Sequence, residues 1–323
     1  MNVVHKIAIF FDGTGNTVDD PGRYTNVKKL KDLVIRRYTK GQTRTNTDPY
    51  YTEGPGTLPQ TKIPGGLFGA DYPDIICKAY DSLAGLLRNE IRQQTSAELY
   101  IFGFSRGSYI AHIFSWIIHD IGVTNKFSLI PDLVQGYLDK DAEKLERLKK
   151  QIPDNEVVTP VVRMLGLWDM VSSQFDLYKG YHDGERAPVV QRIYHAMSLD
   201  EKRLFFPVLK YRNDDSCVEQ CWFSGVHSDI GGGYKETELS DITLEWMINN
   251  AVNEGLLLRP TEEHRLDPNL FLDMVIHDES KKQNNPRKYE GESIDDSVRI
   301  RMQQDQSYHP LALNFPQEGT TVS

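Results

Sequence analysis

Cysteine is scarce: the 323 residues hold only Cys77, Cys217 and Cys221. So small and odd a set excludes a disulfide framework and fits a reducing compartment. Cys217 and Cys221 stand four apart, but no second pair accompanies them, so a zinc site is not expected. No metal or cofactor is expected. No apolar run reaches the roughly 18 residues needed to cross a bilayer. Positive charge is in the minority: 37 Lys and Arg against 46 Asp and Glu leave a net charge of −9. Phosphate contacts need clustered cations, so nucleic acid is not an expected partner. A secretory signal is also missing. The apolar stretch 7–11 runs straight into Asp-Gly-Thr-Gly-Asn without a small-residue cleavage site. The expected location is the cytoplasm, and any export would not use a Sec-type signal.

What is present is a globular composition, 39% apolar and 26% charged, with enough apolar mass for a sizeable core. Strand-like and helix-like stretches alternate. That pattern predicts an α/β fold, a mostly parallel sheet with helices on both faces. Strands are expected over 4–10, near 50–53, and over 98–103, 160–168 and 218–226. Helices are expected over 26–40, 71–94, 106–121 and 241–254. The last has Ser240 or Asp241 as N-cap and Gly255 as stop. The helix over 106–121 is apolar almost all round and belongs under the sheet. Residues 54–70 form a Gly- and Pro-rich loop. Residues 123–155 read as a polar helical insertion or cap, whose charged run is a solvated face or a lid. After His277 the chain turns polar and loops are expected. The organisation predicted is one domain over 1–315 and a flexible tail over 316–323.

The sharpest chemical signal is Gly103-Phe104-Ser105-Arg106-Gly107. G-x-S-x-G alone is a cheap pattern, but here a strand enters it and a buried helix leaves it, as a nucleophile elbow requires. Such a tight turn tolerates only minimal side chains two residues before and after the serine. A serine hydroxyl is a weak nucleophile unless a base takes its proton and an acid orients the base. In this fold class those partners follow in the order acid, then histidine. The expected strand ends supply both: Asp169 closes Leu-Gly-Leu-Trp, and His227 closes Phe-Ser-Gly-Val. His309 is an alternative base. Asp229 is an alternative orienting acid, or a loop aspartate holding the Gly231–Gly233 turn. His195 reads as a structural histidine on a helix.

A second strand end, Phe11-Asp12-Gly13-Thr14-Gly15-Asn16, offers backbone amides to an anionic oxygen. Acyl transfer needs two such donors, one after the nucleophile and one from an earlier loop. Arg106, with Gly13 or Thr14, fits that division. The rival reading is a metal-dependent phosphohydrolase with Asp12 as ligand or nucleophile. Asp12 could equally hydrogen-bond loop amides. The loop 64–70, with Leu67 and Phe68, is a candidate substrate or lipid contact.

The motifs FFDGTGNT, GFSRGSYIA, LGLWDMVSS, AMSLDEKRLFF and WFSGVHSDIGGGY occur in this order. Together they resemble the catalytic-domain family of type VI secretion phospholipase effectors, over residues 4–235. The resemblance implies an α/β-hydrolase fold. It implies hydrolysis of acyl esters of glycerophospholipids by Ser105, Asp169 and His227. It further implies peripheral contact with a membrane, export by a type VI route, and a secretion-system component or immunity protein as partner. The alternative from another class is a catalytically silent scaffold that binds such a partner.

Overall fold

Alternating apolar side chains build the central strand, β1 (Asn2–Phe11). Ile7, Ile9 and Phe11 face one core, and Ala8 and Phe10 face another. A strand buried on both faces needs helices above and below it, the usual setting of a parallel sheet. The computed structural model describes residues 2–14, 21–56, 70–95, 97–172, 180–260, 274–281 and 283–313.

β1 lies inside an eight-stranded sheet. From one edge, the strands are β10 (Ser293–Ile294), β9 (Val218–Phe223), β8 (Ile193–Ser198) and β7 (Val161–Trp168). Then come β4 (Glu98–Phe104), β1, β3 (Thr43–Thr52) and β2 (Arg37–Lys40). Every neighbouring pair is parallel except β2 with β3. The fold is α/β-hydrolase-like. In register, Phe11 pairs with Gly103, Phe104 with Trp168, and Trp168 with Ala196. The C-terminal ends of β1, β4, β7 and β8 therefore lie side by side. The chain leaves β1 toward β3 and returns to the other side of β1 as β4, so the order reverses between β1 and β4. Open parallel sheets bind ligands in the crevice at such a reversal.

Helices α1 (Asn26–Leu33) and α8 (Glu238–Asn253) cover the face of Ala8 and Phe10. Helices α2 (Tyr72–Leu86) and α4 (Arg106–Ile121) cover the other. α4 carries Tyr109, Ile110, Ile113, Phe114 and Ile117, all fully buried, and runs beneath the sheet as its composition demands. α5 (Ile130–Leu138) packs on α2, and Ile130, Leu133 and Val134 join that core. α6 (Ala142–Lys149) buries Leu148 and leaves its charged face to solvent. The short antiparallel pair β5 (Val123–Thr124) and β6 (Val157–Val158) closes the base of this insertion.

Several boundaries differ from the sequence reading. The helix expected over 26–40 stops at Leu33, because Val34 turns extended and Ile35 N–H bonds the carbonyl of Leu257 at 2.9 Å. Residues 37–40 become an exposed, charged edge strand, a common guard against edge pairing. The strand expected near 50–53 begins at Thr43. Its Thr-rich, polar first half gives no apolar signal, and it is held by pairing to β1 along its whole length. The helix over 71–94 breaks at Leu87 into α2 and α3 (Arg88–Gln93). α8 begins at a Thr237 cap, ahead of Ser240 and Asp241, and ends at Asn253, with Gly255 just beyond its C-cap at a φ of +95°. His195 lies in strand β8, not on a helix. The polar stretch after His277 is more than loops. It forms β10 and α9 (Asp296–Gln304), and Val298, Tyr308 and Ala312 pack against Met197 and Trp222. Residues 57–69, which hold Leu67 and Phe68, and the tail 314–323 lie outside the described residues.

Candidate active site

Ser105 stands on the turn between β4 and α4 with φ 59° and ψ −127°. That positive φ is strained for a residue with a side chain, and such strain collects at functional sites. The turn is possible because its flanks are bare. A Cβ on Gly103 would lie 2.6 Å from the carbonyl oxygen of Gly107. The Ser105 N–H donates to the Trp168 carbonyl at 3.0 Å, which ties the elbow to the end of β7.

Three of the predicted residues converge. His227 opens the short helix α7 (His227–Gly231), four residues past the end of β9 rather than on the strand itself. Its Nε2 lies 2.7 Å from Ser105 Oγ, and its Nδ1 lies 2.5 Å from Asp169 Oδ2. All three side chains are buried. The imidazole is wedged between aromatic rings, with Phe104 and Phe206 centroids 4.8 and 5.0 Å from its own. Its backbone N–H donates to Glu201 Oε2 at 3.3 Å.

Asp169 is held from a direction the sequence does not suggest. Arg287 donates to its Oδ1 at 2.5 Å and its Oδ2 at 2.9 Å, and Ser198 N–H donates to Oδ1 at 2.9 Å. Burial opposes the carboxylate's charge. The Arg287 guanidinium and the His227 hydrogen bond outweigh it and hold the carboxyl well below its ordinary range. Sequence reasoning misses Arg287 because it sits in a polar run that reads as a solvated loop. Its only sequence signal is being a lone Arg beside Pro286.

The loop after β1 closes the other side. Thr14 and Arg106 line the cleft with Ser105 and His227. The Gly13 N–H instead donates to Asp12 Oδ1 at 2.6 Å, so among the expected oxyanion donors Gly13 is already committed. Asp12 Oδ2 accepts from Tyr51 OH at 2.6 Å and from Thr25 Oγ1 at 2.8 Å. Burial raises the Asp12 carboxyl to about 6, although these three hydrogen bonds pull it down. With both oxygens occupied, Asp12 acts here as the anchor of its loop. Among the described residues no group of three or more His, Cys, Asp or Glu is gathered for a metal.

The cleft above Ser105 has a volume of about 290 Å³. Phe104, Val171, Phe205 and Phe206 give it an apolar wall, and Thr14, Arg106 and Arg203 a polar one. Such a site suits an ester with a hydrocarbon arm and a polar head. Among the described residues, none from the insertion over 123–155 lines it.

The alternative residues lie elsewhere. His309 lines a separate cavity with Asp200 and Tyr308. Asp229 accepts from Val226 N–H at 3.0 Å and pairs with His277 Nδ1 at 2.7 Å, which fixes the turn that presents His227. His195 Nε2 accepts from Met170 N–H at 3.0 Å, one residue past Asp169.

Among solved structures, one shares the fold over nearly the whole chain. An uncharacterized protein from Pseudomonas aeruginosa matches 95% of this chain and 51% of its own, at 18% identity and a TM-score of 0.53. The Tle1 effector, solved bound to the VgrG spike of the type 6 secretion system, matches 72% of this chain and 52% of its own, at 17% identity and a TM-score of 0.37. A thermophilic esterase from the planctomycete Thermogutta terrifontis, solved with butyrate, covers 80% of this chain and 86% of its own at 12% identity and a TM-score of 0.38. The chain thus spans about half the length of the first two proteins. No curated protein matches it. The model of the type VI secretion phospholipase effector Tle1-like catalytic domain matches residues 5–250. That stretch is most of the chain and runs from β1 through the elbow to α8, so the chain belongs to the Tle1-like phospholipase effector catalytic-domain family.

Proposed function

We propose that this domain is a serine hydrolase that cleaves acyl esters of glycerophospholipids through a Ser105–His227–Asp169 triad. The observation that carries the reading is the imidazole of His227 within hydrogen-bond reach of both Ser105 Oγ and Asp169 Oδ2, at 2.7 and 2.5 Å. His227 Nε2 takes the hydroxyl proton as Oγ attacks the ester carbonyl. Asp169 accepts the hydrogen bond of Nδ1–H and stabilises the imidazolium that forms. Negative charge moves to the carbonyl oxygen, beside Thr14 and the N-terminus of α4 at Arg106. A preorganised donor there is worth about 3 kcal/mol. The tetrahedral intermediate collapses, and His227 gives its proton to the departing alcohol. Water, activated by the same imidazole, then releases the fatty acid from Ser105.

The family's description supports a phospholipid as substrate and a type VI route of export. A secretion-system component or an immunity protein is the partner proposed with that route. The cleft's apolar wall suits an acyl chain. Phe205, which lines the cleft, is 44% exposed, and its chain neighbour Leu204 is 55% exposed, apolar surface that a lipid could meet. Contact with the bilayer is proposed as peripheral; among the described residues no helix is long and apolar enough to cross it.

The test is release of fatty acid from phospholipid vesicles, followed by mass spectrometry, for the wild type and Ser105→Ala. The wild type releases free fatty acid and lysophospholipid, and the variant releases neither. Equal release by both would refute the reading.

A further inference from the structure

We propose that Arg287 is a positioning residue that acts on His227 through Asp169 and sets how far into acid the site keeps working. This rests on the serine-hydrolase reading above. Arg287 lies outside the stretch matched by the family model, 5–250, on the segment that returns to the sheet edge after α8. Its guanidinium is buried and grips Asp169 with two nitrogens, at 2.5 and 2.9 Å. The same group donates to the carbonyls of Ser198 at 3.1 Å and Phe206 at 2.9 Å. One planar fork therefore joins the end of β8, the turn carrying the cleft residue Phe206, and the acid of the triad. A rigid two-pronged contact of this kind is specific to arginine, because lysine offers a point charge on a flexible stem.

The electrostatic consequence follows from the shared oxygen. Asp169 Oδ2 receives both Arg287 Nη2 and His227 Nδ1. An imidazolium at 227 faces a carboxylate whose charge is already balanced by a buried cation. It gains less from that pair than from a lone carboxylate, so taking the cation away strengthens the attraction between Asp169 and an imidazolium. The other charged groups around His227 are ion-paired, hydrogen-bonded or at the cleft wall. Glu201 contacts the His227 backbone but is neutralised by Arg203 at 2.7 Å, and Arg203 also reaches Glu279 at 3.2 Å. Asp229 is paired with His277 at 2.7 Å. Asp200 accepts from Gly225 N–H at 2.6 Å and from Tyr308 OH at 2.8 Å. Arg106 lines the cleft. Arg287 is the cation in direct contact with the orienting acid.

The experiment is the pH profile of kcat/KM for a water-soluble chromogenic acyl ester. It uses the full chain as wild type, Arg287→Lys and Arg287→Gln, with thermal melts in parallel. In Arg287→Gln the acid limb moves up by about one pH unit, the effect of removing one charge two contacts away. In Arg287→Lys the charge remains, so the limb stays in place, while the plateau falls about tenfold because the fork is lost. A folded Arg287→Gln whose acid limb does not move overturns the proposal. Should that variant fail to melt cooperatively, Arg287→Lys decides: a held limb with a lowered plateau supports the role, and a shifted limb or an unchanged plateau overturns it. A wild type that neither hydrolyses the ester nor reacts with a fluorophosphonate at Ser105 overturns the serine-hydrolase reading itself. An active wild type with an immobile limb overturns only the role of Arg287.

Discussion

Gly107 and Asp12 meet backbone to backbone: a Cβ on Gly107 would lie 2.3 Å from the Asp12 carbonyl oxygen. The elbow after β4 is thereby pressed against the loop after β1, and the two walls of the cleft are set relative to each other. Gly107→Ala should force them apart. We expect a loss of about 2–3 kcal/mol in urea unfolding, in the range of overpacked interiors. Hydrolysis should fall more steeply than stability, because Ser105 and Thr14 separate. A Cβ on Gly85, in α2, would meet nothing within 4 Å. Gly85→Ala should therefore stabilise the protein by about 0.5–1 kcal/mol and leave activity alone. Equal effects of the two substitutions would contradict this packing.

His112 is fully buried, with Nδ1 2.8 Å from Tyr211 OH and Nε2 2.8 Å from the Tyr181 carbonyl. Burial pushes it down to about 4. Above its unfolded value near 6.5 neither state is protonated, and its contribution is complete. As pH falls from about 6.5 to 4 the unfolded chain takes up a proton that the folded one refuses. Stability of about 3 kcal/mol is then lost. His195, also driven by burial to about 4, acts in the same direction. Asp12 and Asp200, both raised by burial to about 6, act oppositely and gain stability as pH falls through that value. The total profile is thus shallow, and the histidine must be read by difference. The stability gap between wild type and His112→Gln should narrow on going from pH 7 to 4. A constant gap would rule out a neutral buried His112.

Phe206 packs its ring roughly perpendicular to His227, carries the Arg203 guanidinium 3.6 Å from its centroid, and forms part of the apolar wall. Truncation to alanine removes hydrocarbon contact that grows with the acyl chain. On a homologous series of esters, Phe206→Ala should lose about tenfold more kcat/KM for a long chain than for acetate, consistent with the worth of a few methylenes. A uniform loss along the series would mean that the ring only packs the imidazole.

Much of the site is legible in the sequence because its chemistry dictates local pattern. The elbow needs glycine at 103 and 107, and the strand ends before Asp169 and near His227 announce themselves as apolar runs. α4 is legible from its lack of a polar face. The rest depends on partners distant in the chain. Arg287 reads as one more charge in a hydrophilic stretch until it meets Asp169, 118 residues away. β3 is obscured because its order comes from backbone pairing to β1 rather than from apolar side chains. Gly13 illustrates a finer limit: the motif predicts amides in the loop, but only the fold reveals that the Asp12 carboxylate takes this one. His195, flanked by residues at home in either helix or strand, needs β7 and β9 on its two sides to become a strand residue.

The most direct measurement is covalent labelling by a fluorophosphonate, with the adduct mapped by peptide mass spectrometry in wild type, Ser105→Ala and His227→Ala. A hydroxyl, an imidazole and a carboxylate acting together predict one adduct, on Ser105. None should form in Ser105→Ala, and the rate should drop by about 10²–10⁴ without the base. An adduct of full occupancy on another residue, or an unchanged rate in His227→Ala, would contradict the account.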